Sequence, residues 1–231
     1  MEHDKPGFPF PCADCHRPNA QGDITSPPLA GLPKAYIIEQ ITAFRQGTRA
    51  VEVMAREARS INDADLRLAS DYFPTLPHTS RTRVIETATV PKTHWRDFVP
   101  VPNRGGARES IGQRIIETPA DFKAFEAGDD HFEAIAYVPC GSIELGAVIA
   151  SKGVGTAVAC ESCHGAKLQG VGNIPPLAGR PPIYIVRELI RFRLGQRTNP
   201  GAAPMRFEVS HLTLEDMIDV AAYAASRKPS T

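Results

Sequence analysis

The sequence has 231 residues, which is room for one large domain or two small ones. Hydrophobic residues make up 42% and charged residues 23%, as is typical of a globular protein. The 26 Lys and Arg residues balance the 26 Asp and Glu residues, which excludes a charge-driven binder of nucleic acid or of anionic membranes. The apolar stretches fall far short of the ~20 residues that a membrane helix needs, so no transmembrane segment is predicted.

The N-terminal residues do not have the sequence pattern of a signal peptide. Residues 1–6 read MEHDKP and lack the apolar core of a signal peptide. The sequence therefore predicts no signal peptide in this chain. That is compatible with a cytoplasmic protein, and equally with an exported protein whose signal peptide has been removed.

A cysteine–histidine motif occurs near the N-terminus and again 148 positions later. Residues 11–16 read PCADCH and residues 159–164 read ACESCH. Cys-x-x-Cys-His is the attachment signature of c-type haem. Two thiols on one helical turn reach the two vinyl groups of a porphyrin, and the adjacent histidine points at the iron. The predicted attachment residues are Cys12, Cys15, His16, Cys160, Cys163 and His164.

Other uses of a Cys-x-x-Cys pair are a thioredoxin-like redox couple or half of a zinc site. A zinc site that shares four cysteines would need the two halves of the chain to meet. It would also leave the histidine after each pair without a role. The duplicated motif therefore predicts two covalently bound haem c groups, one for each copy.

The similarity between the two halves continues beyond the motif. The segment PPLAG occurs at residues 27–31 and again at 175–179, at the same offset of 148. Three residues are then inserted, and Met54 aligns with Met205 at an offset of 151. This pattern indicates a tandem duplication of a unit of about 75 residues.

Each unit has the same predicted elements after its haem motif. A Pro/Gly-rich loop leads to a helix, a second loop carries the methionine, and a final helix closes the unit. The predicted boundary residues are Pro33 and Pro181 at the start of the first helix, Gly47 and Gly195 at its end, Asn62 and Thr213 as N-caps of the final helix, and Phe73 and Arg227 at its end.

The iron in each unit needs a second axial ligand. Met54 and Met205 occupy equivalent predicted loop positions and are the candidates, whereas Met217 falls inside the last helix, where a core role is predicted. His/Met ligation fills both axial positions and raises the reduction potential. The carbonyl groups of Pro27 and Pro175 are candidate acceptors for the other nitrogen of each histidine ring.

A long insertion lies between the two units. Its segments at residues 83–87 (RVIET) and 114–118 (RIIET) are β-prone and are predicted to pair as short strands. Residues 121–127 form a short helical stretch that presents Phe122 and Phe125 together. A structureless linker of this length is uncommon, so the insertion is predicted to pack on the haem units.

These residues resemble the dihaem class I cytochromes c of the c4 type. The resemblance is carried by CADCH and CESCH, both PPLAG segments, both F-R-x-G helix ends, Met54 and Met205, over about two thirds of the chain. It implies a mainly α fold of two tandem class I cytochrome c domains, at residues 1–74 and 142–231. A long, loop-rich insertion with possible short β-strands, residues 75–141, joins them. In the family the linker between the two domains is short, and the two haems lie close together. Because the insertion here is long, the same close haem–haem arrangement does not follow for this chain.

The resemblance also predicts a helix before each haem motif. In class I cytochromes this helix crosses the last one, which would place Gly146 against Tyr223 in unit two. Unit one has no such pattern, because Pro6, Pro9 and Pro11 precede its motif. We therefore expect residues 75–141 to wrap unit one and cover its last helix, above all with Phe122 and Phe125 against Leu66, Tyr72 and Phe73. The alternatives are a second chain or native residues upstream of Met1.

The function that the resemblance implies is periplasmic electron transfer, without catalytic residues. The expected partners are redox proteins, namely a dehydrogenase as donor and an oxidase or another cytochrome as acceptor. The alternative is a catalytic dihaem oxidoreductase, a peroxidase or a thiosulfate-type enzyme, with one haem open or His/Cys-ligated. Potential extra ligands in or near the insertion are His78, His94, His131 and Cys140.

Overall fold

The computed structural model describes residues 11–96 and 98–229. From residue 11 onwards, unit one contains four helices and ends in the 3-10 turn Phe73–Thr75: α1 (Cys12–His16), α2 (Lys34–Gln46), α3 (Glu52–Ser60) and α4 (Asp63–Tyr72). The predicted lack of a helix before Cys12 concerns residues 1–10, which lie outside the described residues. Over the two described ranges, no helix is long and apolar enough to cross a lipid bilayer.

The insertion and unit two follow in chain order. The insertion contains β1 (Thr82–Glu86), β2 (Thr89–Pro91), β3 (Thr93–Arg96), β4 (Val99–Pro102), β5 (Arg108–Ser110), β6 (Ile116–Pro119), α5 (Phe122–Glu126) and β7 (Ala134–Val138). Unit two contains α6 (Ser142–Lys152), α7 (Glu161–His164), α8 (Pro182–Arg193), α9 (Ala203–Val209) and α10 (Leu214–Ser226), with 3-10 turns at Ala166–Leu168 and Pro200–Ala202.

The predicted helix ends are confirmed at atomic detail. The Asn62 side chain accepts a hydrogen bond of 2.8 Å from the Asp65 amide at the start of α4. Thr213 forms a capping box with Asp216 at the start of α10. Gly47 and Gly195 have φ values of 72° and 68°, the left-handed conformation that glycine adopts without strain after a helix.

The predicted loops that carry the methionines are in fact short helices. Met54 lies in α3 and Met205 lies in α9, and each is the third residue of its helix. The prediction of a loop was wrong because these segments lack a regular apolar stripe. They are nevertheless rich in good helix formers, such as Ala, Glu, Arg and Met. Because of this local propensity the segments form short helices.

The two predicted β-prone segments are strands of one sheet, but they do not pair with each other. The strand order is β1-β7-β6, with β7 parallel to β1 and antiparallel to β6. Ile135 of β7 therefore faces both Arg83 and Thr118. The direct pairing was a wrong prediction because β7, whose Ala134, Ala136 and Val138 are buried, takes the central place. Two small antiparallel sheets, β2 with β5 and β3 with β4, complete the insertion.

The insertion packs on unit one at a place that differs from the predicted one. Phe125 packs with Phe132, Val99 and Ala134 against Ile24, a residue of the loop that follows the first haem motif. The guanidinium group of Arg17 lies 5.4 Å from the centres of both phenylalanine rings, a cation–π contact. The aromatic side chains of α5 are therefore used against the haem loop rather than against α4.

The last helix of unit one is covered mainly by its own unit. Leu66 and Phe73 are buried in a cluster whose other buried members, Ala20, Ala30, Leu32 and Ile37, all belong to unit one. Tyr72 is 53% exposed. The expectation that Phe122 and Phe125 cover these three residues was wrong, because the loop residues Ala20–Leu32 and helix α2 already occupy that face.

The crossing of the first and last helices of unit two is confirmed. A Cβ atom at position 146 would lie 2.0 Å from the Asp219 carbonyl oxygen and 2.8 Å from the Tyr223 Cβ atom. Helices α6 and α10 can approach this closely only because Gly146 has no side chain. The core of unit two forms around this crossing and includes Met217, which is fully buried as predicted.

Replacing Gly146 with Ala is expected to destabilise the protein. Alanine in a helix is normally better than glycine by up to about 1 kcal/mol. Here the added methyl group forces two helices apart, which costs about 1–3 kcal/mol. The free energy of unfolding from denaturant titration measures the effect. Ser151→Ala on the exposed side of α6 is the control, and an equal stability for both variants would contradict the crossing.

Candidate haem-binding sites

Each motif histidine is held by a proline carbonyl group. The His16 Nδ1 atom lies 2.7 Å from the Pro27 oxygen, and the His164 Nδ1 atom lies 2.9 Å from the Pro175 oxygen. Because a carbonyl group can only accept, Nδ1 carries the proton and donates, which leaves Nε2 free to bind a metal. Burial lowers the pKa of both imidazole groups, so the rings are neutral, as metal ligation requires.

The motif cysteines are accessible and unpaired. Cys12, Cys15 and Cys163 are exposed and Cys160 is half-buried, and all four are free thiols. Burial raises the pKa of the half-buried Cys160 thiol to about 11. This thiol is therefore protonated at neutral pH, unlike the acidic cysteine of a redox couple.

The four motif cysteines are divided between the two units. Within the described part of the chain, no group of three or more His, Cys, Asp or Glu side chains is arranged to hold a metal ion. The four motif cysteines therefore do not converge on one point in the described structure.

The two candidate methionines have equivalent settings. Met54 and Met205 are both half-buried at the third position of a short helix, and Met205 packs against the core of unit two. Met217 differs, because it is fully buried and its sulfur lies 2.7 Å from the Arg193 Nη2 atom. Its surroundings are those of a core residue.

The two units contact each other directly. Arg49 and Arg197 form an antiparallel β-bridge, although they lie 148 positions apart. The Ala50 amide donates to the Gln196 carbonyl group at 2.8 Å, and the Thr198 amide donates to the Thr48 carbonyl group at 2.7 Å. These reciprocal bonds between equivalent positions make the contact locally two-fold symmetric. The insertion therefore lies beside the two units and does not separate them.

A buried polar network forms at the centre of this contact. Arg49 donates to Gln40 at 3.0 Å and to Glu188 at 2.8 Å, while Arg197 donates to the same two side chains at 2.9 Å each. Gln40 and Glu188 are themselves equivalent positions of the two units. We call these four residues the interface network. Sequence reasoning missed it, although the two arginines both stand two residues after a helix-ending glycine.

The charges of the interface network are strongly coupled. Burial alone would raise the pKa of Glu188, but the guanidinium groups of Arg49 and Arg197 outweigh burial and lower it to about 2. The Nε atoms of both arginines are buried and have no hydrogen-bond partner. A buried N–H group without an acceptor is costly, so these two donors are available to a further hydrogen-bond acceptor.

The residues of both units fit a covalently bound haem. Each unit offers two free thiols, a neutral histidine with an available Nε2 atom and a half-buried methionine. The two unpartnered Arg Nε donors suit the carboxylates of a porphyrin. Large apolar side chains are exposed in both units, among them Leu68 and Tyr72 in unit one and Leu194 and Phe207 in unit two. Such exposure is typical of a surface that an apolar group covers.

Known proteins with similar sequences include an electron acceptor and several cytochromes. The chain is 25% identical to a thiosulfate dehydrogenase electron acceptor of Stutzerimonas stutzeri over 218 residues, which is 93% of this chain and 78% of that protein. It is 37% identical to cytochrome c-554(548) of Halomonas halodenitrificans over 70 residues, which is 30% of this chain and 84% of that protein. No protein-family model matches the chain.

Solved structures with similar folds agree. Cytochrome c4 from Pseudomonas stutzeri superposes with a TM-score of 0.63 at 19% identity, over 94% of this chain and 93% of that one. The chain belongs to the dihaem c4-type cytochromes c. A thiosulfate dehydrogenase (TsdBA) from Marichromatium purpuratum gives a TM-score of 0.63 at 27% identity, and this chain spans 94% of its own length but only 36% of that chain.

Membership of this family gives the cofactor and the general role. The c4-type cytochrome carries two covalently bound haem c groups and transfers electrons. The potential extra ligands have other settings in the structure. His78 hydrogen-bonds to Gln21, His94 hydrogen-bonds to Asn103, and the side chains of His131 and Cys140 are exposed.

Replacing Glu188 with Gln tests the interface network. The carboxylate stabilises the fold above its unfolded pKa of about 4.5, and this stability is lost as the pH falls towards the folded value of about 2. We expect Glu188→Gln to lower the free energy of unfolding at pH 7 by about 3 kcal/mol, because two buried arginines lose their counter-charge. The variant also loses the wild-type decline of stability between pH 4.5 and 2.

The matched control for this experiment is an exposed ion pair. Asp71→Asn removes a surface contact with Lys34 and costs less than about 1 kcal/mol. Denaturant titrations at several pH values compare the three proteins. A Glu188→Gln variant as stable as Asp71→Asn at pH 7 would show that the carboxylate is not needed.

Proposed function

We propose that this c4-type cytochrome is a periplasmic electron carrier in which His16 and Met54 ligate one iron and His164 and Met205 the other. The observation that carries the proposal is the equivalence of the two units. Each has a proline-held neutral histidine and a methionine at the third position of a short helix. A haem iron with both axial positions filled exchanges single electrons and binds substrates poorly.

The attachment residues in this proposal are the four motif thiols. Cys12 and Cys15 hold one haem and Cys160 and Cys163 hold the other, because each pair is followed directly by the histidine. The unpartnered Nε donors of Arg49 and Arg197 bind haem carboxylates at the contact between the units. The interface network thereby joins both haem sites.

The proposed partners are redox proteins. Two relatives are named as electron acceptors of thiosulfate dehydrogenase, and this supports a dehydrogenase as the electron donor. An oxidase or another cytochrome is the proposed acceptor. The covalent attachment of haem by dedicated machinery and the periplasmic setting of such cytochromes support the periplasm as the location. No described side chain favours a catalytic role over a carrier role.

The number of haem groups for each cysteine pair can be counted. We expect the mass of the protein, matured with cytochrome c assembly machinery, to exceed the chain mass by two haem groups. Cys12→Ala with Cys15→Ala should remove one haem and leave the other. Cys140→Ala is the control, since this exposed cysteine belongs to no motif. A double variant that retains two haem groups would contradict the assignment.

The axial methionines can be tested by spectroscopy and redox titration. Met54→Ala and Met205→Ala should each halve the methionine–iron charge-transfer absorption of the oxidised protein. Each should also lower one of the two midpoint potentials, because thioether ligation favours the reduced iron. Met217→Leu is the control, because it changes a fully buried methionine that packs in the core. An unchanged spectrum for Met54→Ala would show that another group ligates the first iron.

A further inference from the structure

A small cavity lies where the insertion meets both units. Its volume is about 10 Å³, which is room for about one water molecule. The loop of unit one contributes Gln21–Ile24 and Pro28, unit two contributes Gly179 and Pro181, and the insertion contributes Thr82 and Glu117. Pro28 directly follows Pro27, whose carbonyl group holds His16. A residue that lines the cavity is therefore the direct sequence neighbour of Pro27, whose carbonyl group orients His16.

Three polar atoms without a hydrogen-bond partner belong to side chains that line this cavity. They are Nε2 of His78, Nε of Arg81 and Oε2 of Glu117, and all three are buried. The His78 Nδ1 atom faces the Gln21 side-chain oxygen at 3.1 Å and must donate to it, so Nε2 is an acceptor. A buried water normally makes about three hydrogen bonds to such groups. The cavity thus has the size for one water, and three of the side chains that line it carry a buried polar atom without a partner.

Glu117 is the titratable centre of this group. It is fully buried in β6, and its other carboxyl oxygen accepts a hydrogen bond of 3.1 Å from the Thr82 hydroxyl group. Burial raises its pKa to about 7, against the opposing effects of Thr82, the Ile183 amide and Arg187. The carboxyl group therefore gains or loses its proton in the physiological range, where few side chains titrate.

The other charged groups around Glu117 come from the unit-one loop, the insertion and unit two. Asp23 of the unit-one loop pairs with Arg17 at 3.1 Å. Arg81 precedes β1, and Arg187 lies on α8 of unit two. Burial and the charge of Arg180 lower the pKa of His78 to about 3, so this ring stays neutral. Glu117 is thus a buried acid whose pKa is raised to about 7, beside a neutral His78 ring.

We propose that this cavity is a proton-binding site coupled to reduction, in which one buried water joins Glu117 to His78 and Arg81. When the chain takes up one electron from its redox donor, the Glu117 carboxylate takes up one proton from solvent. Oxidation returns the electron to the acceptor and the proton to solvent, so charge and atoms balance. Reduction removes one positive charge from the haem region, and a nearby carboxylate then binds its proton more tightly. This inference rests on the bound haem and not on the identity of the second axial ligand.

The midpoint potentials of the holoprotein test the coupling. We expect proton binding to tighten at least threefold on reduction. One of the two potentials then falls by about 28 mV or more between pH 5.5 and pH 8.5, at 59 mV for each tenfold change. Glu117→Gln should abolish this fall and keep that potential near its value at low pH, since glutamine resembles the protonated acid.

A matched control and a second signal separate Glu117 from other acids. Glu133→Gln changes an exposed acid next to β7 and should retain the full pH dependence. The infrared difference spectrum, reduced minus oxidised at pH 7, should show a protonated carboxyl band that is absent from Glu117→Gln. Equal potentials at both pH values, or a Glu117→Gln variant that keeps the wild-type dependence, would overturn the proposal.

Thr82→Val gives an independent test if Glu117→Gln does not yield folded protein. This change removes the hydroxyl donor that lowers the pKa of Glu117. The pH at which the potential falls should therefore move upwards while the size of the fall is kept. A transition at the wild-type pH would contradict the role of Glu117, whatever the behaviour of the glutamine variant.

Discussion

The hydrogen bond from each motif histidine to a proline carbonyl group is the constraint on which the rest of the structure depends. It fixes the loop after each motif at one point, and other parts of the fold then use that loop as a surface. Arg180 of unit two donates to the Pro28 carbonyl group of unit one at 2.7 Å. The aromatic cluster of the insertion packs on Ile24 of the same loop. A bond that orients one imidazole ring thus also positions a second unit and an added sheet.

The duplication is symmetric in its backbone and asymmetric in its charge. Equivalent residues of the two units exchange equivalent backbone bonds at their contact, but Gln40 in one unit corresponds to Glu188 in the other. One carboxylate, that of Glu188, therefore pairs with two buried arginines. Two identical units would have carried either two carboxylates or no carboxylate at this position. Two carboxylates on the axis would repel each other, and none would leave two buried cations without a counter-charge. A single carboxylate avoids both of these unfavourable arrangements.

The sequence predicted what depends on local chemistry or on repetition. The haem motifs, the glycine helix ends and the caps at Asn62 and Thr213 need only neighbouring residues, and the aligned methionines follow from the offset. The position of β7 between β1 and β6 was not predicted, because strand order depends on packing across distant segments. Likewise, the spacing of Phe122 and Phe125 predicts that they share one face of a helix, but it does not predict which surface that face contacts. The repeat aligns the two arginines of the interface network at equivalent positions. Their contact with each other's unit was not predicted, because it depends on how the two units pack together.

The parallel pairing of β1 with β7 has a consequence for how this chain tolerates change. β1 starts soon after unit one ends, and at its far end the Glu86 side chain accepts a hydrogen bond of 2.9 Å from the Ile143 amide at the start of α6. A single strand therefore already carries the backbone from one unit to the other. The segment from residue 87 to the end of β7 is an excursion of the chain, because Val138 at the end of β7 pairs with Glu86 and brings the backbone back to the end of β1. Such an excursion can lengthen, shorten or be exchanged over generations while the spacing of the two units is preserved.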